Sequence, residues 1–202
     1  LAKTFLSAKR IEDMLPVVRD PKGIWQKMRE YYPEGVIELI EMSGFNPTGR
    51  VSYKGNSAAV SITTADFEQK QLIFVEGKDG LKIDWESWAG WSEMPWEEIV
   101  EKQPVQPVLV RAILKWVDYY NFEFIDESKW RSYMLSSPDG EKILYGYVER
   151  NSPLDQMIRP AEPTAAVAVI VKIHFPENAQ SPNQVVIGEY VTDGWLIAGK
   201  DE

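Results

Sequence analysis

In KQLIFVEGKDGLKIDW, Lys70–Trp85, apolar and polar residues alternate after Lys78-Asp79-Gly80, and the apolar run Leu72–Val75 precedes it. A period of two marks a half-buried strand. Asp-Gly accepts the positive φ of a tight hairpin turn. Lys70–Glu76 and Leu81–Trp85 are therefore read as an antiparallel pair. Upstream, Arg50–Tyr53 and Ala58–Thr64 flank Lys54-Gly55-Asn56, a second hairpin signal, and Val36–Met42 supplies a strand before the Gly44–Gly49 turn with its Asn46-Pro47. Val36–Trp88 thus reads as a meander of four or five antiparallel strands.

Before Gly35 the period is helical. Ala8, Ile11, Met14 and Leu15 recur on one face, with Thr4 or Ser7 as N-cap and Pro16 as the stop. A second helix starts at Asp20-Pro21, where the carboxylate caps and proline fits the first turn. It buries Ile24, Met28 and Tyr31 or Tyr32, and ends at Pro33 and Gly35. The pair can cover one face of the meander.

After the meander, Glu93–Pro107 carries Pro95, Pro104 and Pro107. Pro95-Trp96-Glu97-Glu98-Ile99 suits one helical turn, and the rest reads as an extended connector. The domain boundary is placed there, giving 1–100 and 101–202. The second half is β by pattern. Val108–Tyr120 is a long strand, and the aromatics of Tyr120–Phe124 alternate with polar residues. Trp130–Leu135 and Lys142–Val148 flank the turn Ser137-Pro138-Asp139-Gly140. Ala165–Phe175, apolar but for Lys172 and His174, is fit for a central strand. Gln184–Val191 and Trp195–Ala198 flank Thr192-Asp193-Gly194, and Asn151–Glu162 is a helical or irregular crossing. Six short strands with tight turns predict a small barrel or sandwich.

The chain has 202 residues, 22 basic against 31 acidic, a net charge of −9, and no Cys. That balance repels phosphates, and no Lys/Arg cluster along the sequence reverses it locally, so a nucleic-acid partner is excluded. Absence of Cys removes disulfides, thiolate catalysis and Cys-type metal centres. The longest apolar run, Ala165–Val171, is far short of a membrane span. A first residue of Leu1 rather than Met is read as a processed or excised fragment, with a lost leader or N-terminal anchor as one explanation.

Two helices running into an antiparallel meander resemble the NTF2-like or cystatin-like α+β arrangement over Phe5–Trp91, by element order rather than by diagnostic residues. The fuller pattern is similar to a bacterial protein family of unknown function that carries an N-terminal anchor. The segments that suggest it are Phe5–Ala8, Val18–Pro21, Met28–Tyr32, Asp84–Trp88, Asp118–Asn121 and Tyr145–Arg150. The resemblance implies no catalytic residue.

Chemistry is limited by shortage. His174, the single histidine, lies in an apolar run and reads as structural. There is no Gly-x-Ser-x-Gly elbow and no glycine-rich phosphate loop. Asp126-Glu127, Asp139 and Asp193 lack calcium-loop spacing and are explained by turn chemistry. Asp84 and Glu86 would share one strand face, where an NTF2-like cone could pair an acid with the phenol of Tyr31, Tyr32 or Tyr53; a solvated strand face is the simpler reading. The remaining signature is the aromatic run Trp85, Trp88, Trp91 and Trp96, half of the chain's eight Trp, interleaved with Asp84, Glu86, Glu93 and Glu97. Gly90 and Pro95 forbid one continuous element. The run is either a packing hub locking the two halves or a binding platform of stacked rings and accepting carboxylates.

The chain therefore reads as α+β: two N-terminal helices on an antiparallel meander, then a β-rich small barrel or sandwich. Its expected role is a non-enzymatic, envelope-associated interaction or accessory module. The alternative is a small-molecule binder or carboxylate-dependent enzyme with an NTF2-like pocket. No cofactor, metal or catalytic residue is assigned. The candidate surface is Trp85, Trp88, Trp91, Trp96, Asp84 and Glu86, and its partner is another protein, a glycan or a small apolar ligand.

Overall fold

The run of helical spacing through Ala8, Ile11, Met14 and Leu15 becomes two short helices in the computed structural model, which describes residues 1–37, 42–44, 51–64, 67 and 69–199. These are α1 (Ala2–Leu6) and α2 (Ile11–Met14). The interruption has a local cause. The Asp13 carboxylate accepts the N–H groups of Lys9 and Arg10 at 3.2 and 3.1 Å and restarts the helix at Ile11. Neither Thr4 nor Ser7 is an N-cap.

α3 (Pro21–Tyr31) follows the sequence reading: Asp20 accepts the Gly23 N–H at 3.0 Å, with Pro21 in the first turn. Asp20 holds a left-handed φ of 45°. A Cβ on Gly23 would stand 2.0 Å from the Asp20 carboxylate. Gly→Ala inside a helix usually stabilises. Gly23→Ala is instead expected to evict the cap and cost about 1 kcal/mol in a denaturant titration; a gain would show that the carboxylate can step aside.

The chain divides into two units, Leu1–Ala89 with Ala198–Glu202, and Gly90–Ile197. The first holds an antiparallel sheet of β1 (Met42–Gly44), β2 (Val51–Lys54), β3 (Ser57–Thr64), β4 (Gln69–Gly77) and β5 (Gly80–Ile83). The order is β1-β3-β4-β5, with β2 on the same edge of β3 as β1. Lys54 pairs with Ser57 and Gly77 with Gly80, so both predicted hairpins form. Most of the expected Val36–Met42 strand and the Gly44–Gly49 turn lie outside the described residues. Val18 bridges Ile83 and covers the far edge of β5. Phe5, Met28, Leu72, Ile83 and Trp85 are among the residues buried in this unit.

The meander ends earlier than alternation predicts. Asp84 accepts the Ser87 N–H at 2.8 Å and caps α4 (Trp85–Ala89). Capping overrides the period of two, so Asp84 and Glu86 do not share a strand face.

The second unit contains α5 (Trp96–Lys102), β6 (Val108–Trp116), β7 (Trp130–Ser136), β8 (Ile143–Glu149), α6 (Pro153–Ile158), β9 (Ala166–His174) and β10 (Gln184–Asp193). Trp96 and Ile99 of α5 join its core, so the division falls between Ala89 and Gly90 rather than at 100/101. The five strands close as β6-β7-β8-β10-β9, with β8–β10 parallel and every other pair antiparallel. α6 lies between the third and fourth strands of this closed barrel. Val110, Ala112 and Leu114 of β6 point inward with Leu135, Leu144, Val171 and Val185. Gly146 is inward too, because a Cβ there would meet Ile187 at 2.8 Å and Leu135 at 2.9 Å.

Two readings need correction. The predicted hairpin at Thr192-Asp193-Gly194 does not form: β10 continues to Asp193 against β9, and Trp195 lies beyond any strand. β6 stops at Trp116 rather than Tyr120, and Phe122–Phe124 is a 3₁₀ turn.

Candidate functional site

The tryptophans of the signature run separate between the two units, and each has its own surroundings. Trp85 is buried, donates its Nε1–H to Tyr32 Oη at 3.3 Å and meets the Tyr31 ring edge-on at 5.6 Å. Trp88 is buried against Phe5 at 5.6 Å, with Lys70 Nζ 5.8 Å over its ring. Trp96 is buried in the barrel core. Trp91 is half-buried, and its carbonyl accepts from Arg111 Nη1. Arg111 is fully buried and also donates to Trp195 O at 2.9 Å, while Trp195 Nε1 donates to Ala112 O at 3.2 Å. Arg111 thus ties two flanking segments to the outer side of β6.

Asp84 and Glu86 are buried rather than solvated, and each faces a cation. Arg19 lies 3.2 Å from Asp84, and Lys27 Nζ lies 2.5 Å from Glu86. A charge out of water requires such compensation. Lys27 and Tyr31 lie on one side of α3, one turn apart, so the helix meets α4 through an ion pair and an aromatic contact together. Burial pushes the Tyr32 phenol up to about 12, against the Trp85 hydrogen bond that pulls it down. Tyr53, the third phenol considered, is exposed. His174 Nδ1 lies 3.2 Å from Phe175 O. Asp126 accepts from Ser128 and Asp139 from Ser137, as turn residues do. Among the described residues no His/Asp/Glu group of three or more is arranged to hold a metal, and no helix is long and apolar enough to cross a membrane.

A second aromatic assembly escapes sequence reasoning. Leu144, Gly146 and Val148 of β8 point into the barrel, so Tyr145 and Tyr147 point out. The β6–β7 connection, residues 117–129, folds over them as a strap. Tyr119 stacks on Tyr145 at 3.9 Å, and Phe124 stacks on Tyr147 at 3.9 Å with an interplanar angle of 1°. Tyr147 Oη donates to Tyr119 O at 2.9 Å and accepts from Gln184 Nε2 at 2.7 Å. Gln184 also donates to Asn121, and Arg150 Nη2 donates to Tyr120 Oη at 3.2 Å. The β9–β10 loop reaches the strap through Gln180 N–H to Glu123 at 3.1 Å. Burial raises the Tyr147 phenol to about 12, with the Gln184 hydrogen bond opposing.

The loops after β6 and β9 and the outer face of β8 are fastened to one another, and the Tyr145 and Tyr147 ring faces are taken. The strap's outer side presents Phe122, 51% exposed, and Ile125, 71% exposed. Phe122 holds a φ of 50°, a conformation that costs a bulky side chain energy. Asp118, Glu123, Asp126 and Glu127 flank the pair, against Lys129. The signal in the sequence was the aromatic alternation at Tyr120–Phe124, which reads as a strand until the stacking partners on β8 are known. No protein family, curated protein or solved structure matches the chain.

Proposed function

We propose that the chain is a non-enzymatic interaction or accessory module, and that the strap on the barrel is its contact element. The observation that carries this is the pair Phe122 and Ile125, held outward on a segment that the Tyr119–Tyr145 and Phe124–Tyr147 stacks anchor. A preorganised apolar tip loses little entropy on association. Its acidic flanks fit a protein surface with an apolar pocket rimmed by Lys or Arg. A glycan is the weaker partner, because the Tyr145 and Tyr147 faces are already stacked and Trp85 and Trp88 are buried. The buried carboxylates support a structural rather than catalytic role, since Asp84, Glu86 and Asp155 each face a cation.

The order of helices before an antiparallel meander supports an NTF2-like or cystatin-like relationship for the first unit. Location at the cell envelope belongs to the same proposal and is compatible with a cysteine-free chain; fractionation that places the full-length gene product in the cytosol would refute it.

The contact is tested by placing a photo-crosslinking amino acid at Phe122 in cells, with Glu141 on the β7–β8 turn as the control position. A defined protein adduct at 122, absent at 141 and lost with Ile125→Ser, is the expected result. Equal labelling at both positions would remove the strap from consideration.

A further inference from the structure

Carboxylates outnumber cations in this chain by 31 to 22. Among the described residues, the fold gathers several cations against that balance. Arg19, Lys22, Lys78 and Lys82 line a single groove of about 530 Å³ within the first unit. They come from three stretches: the segment beside β5, the first turn of α3, and the β4–β5 hairpin. Arg19 N–H donates to Ile83 O at 2.9 Å, which fixes the first stretch against the sheet edge. Lys82 Nζ donates to Pro16 O at 2.8 Å, holding its ammonium at the groove wall. Two carboxylates also line the groove, Asp20 and Asp79. Asp20 accepts the Gly23 N–H as the cap of α3, so it is directed to the helix. Arg19 is buried and paired with Asp84, which leaves Lys22, Lys78 and the positioned ammonium of Lys82 to meet an anion.

The other lining is apolar. Leu15, Pro16, Val18, Pro21 and Val75 contribute, and Val75 sits opposite Lys82 in the β4–β5 register. Apolar surface beside several cations suits a ligand with an oily body and an anionic head. The volume lies within the range of small-molecule pockets, roughly 300–1,000 Å³. We propose that this groove binds a small organic anion, a carboxylate or phosphate monoester, with its head on Lys22, Lys78 and Lys82 and its body against Leu15, Pro16 and Pro21.

The test uses the intact chain, phenyl phosphate and 3-phenylpropionate as probes, and phenol as the uncharged control. Amide NMR shifts are followed at Gly77 and Gly80, which line the groove. Both lysines in Lys22→Gln/Lys78→Gln lie on the exposed rim, so the double variant should fold normally, as its unperturbed amide spectrum elsewhere would verify. Saturable shifts with at least one anion, weakened tenfold or more in the double variant and by added salt, with phenol silent, are expected. A stronger response to one anion assigns the head group. No saturable shift at millimolar anion, unchanged affinity in the variant, or an equal response to phenol would overturn the proposal. None of these readouts involves the strap, so the two assignments fail separately.

Discussion

Asp155→Asn is expected to unfold the barrel unit at a much lower temperature than the parent. The carboxylate is fully buried at the start of α6, where it accepts from Arg131 Nε at 2.5 Å, from Arg159 and from the Asn151 N–H at 2.9 Å. Asparagine keeps the shape and removes the charge, so the buried Arg131 guanidinium loses its counter-ion. Breaking one side of a buried pair costs about 3–5 kcal/mol. For a unit of this size that corresponds to roughly 15 °C or more in Tm. The pH dependence has a definite sign. Burial raises the Asp155 carboxyl, but the hydrogen bonds from Arg159 and Arg131 outweigh it and hold it at about 2, below its ordinary 3.8. A depressed carboxylate contributes stability above its unfolded pKa and loses it as pH falls toward the folded value. The parent should therefore lose stability between pH 4 and 2 more steeply than Asp155→Asn. A loss under about 1 kcal/mol would mean that Arg131 is satisfied elsewhere, and the Trp116 ring 4.6 Å from it would be the first candidate.

Trp85→Ala should be comparably severe in the first unit. Trp85 is the largest of the side chains buried outright, and it fills the space between α3 and α4 with one hydrogen bond and one edge-on aromatic contact. Truncating a buried tryptophan costs about 3–5 kcal/mol, against a total stability of roughly 5–15 kcal/mol for a domain. Trp85→Phe, which keeps most of the volume and drops the indole N–H, should cost about 1 kcal/mol. The variant has an optical readout as well. Burial is what raises the Tyr32 phenol to about 12, so opening the site should bring one tyrosine back toward its ordinary 10 in an ultraviolet titration. Undiminished stability in Trp85→Ala would mean that the indole is spent on something other than packing, and would reopen its role as a contact residue.

What could be read directly was what a few neighbouring residues settle. Asp20-Pro21 became a capped helix, and Gly55-Asn56 and Lys78-Asp79-Gly80 became hairpins, because the turn conformation is set by neighbouring residues. The failures come from competition with such local bonds or from distance. Asp84-Trp85-Glu86-Ser87 alternates well enough to pass for a strand, but its carboxylate finds the Ser87 N–H first. Thr192-Asp193-Gly194 has hairpin chemistry, yet β10 keeps β9 as its partner through Asp193. The parallel β8–β10 pairing joins residues on either side of a helix and a complete strand, and nothing near Tyr145 or Gln184 announces it. The groove cations behave in the same way: Arg19 and Lys82 are distant in sequence and adjacent only once Val18 bridges Ile83. The tryptophan run stood out by composition, and the burial of Trp85 and Trp88 depends on Phe5, Tyr31 and Tyr32, which lie far upstream.

Barrel closure also sets the order of events during synthesis. β10 is the last of the five barrel strands to leave the ribosome, and it supplies both the antiparallel partner of β9 and the parallel partner of β8. Until Gln184–Asp193 emerges, the nascent chain exposes two unpaired strand edges, one of them on the most apolar strand of the unit. Such edges are templates for pairing with other chains, and non-local pairing is slow to form. A ribosome stalled before residue 184 would hold an open sheet that a holdase chaperone recognises. One stalled well past residue 197 would hold a finished barrel that it does not.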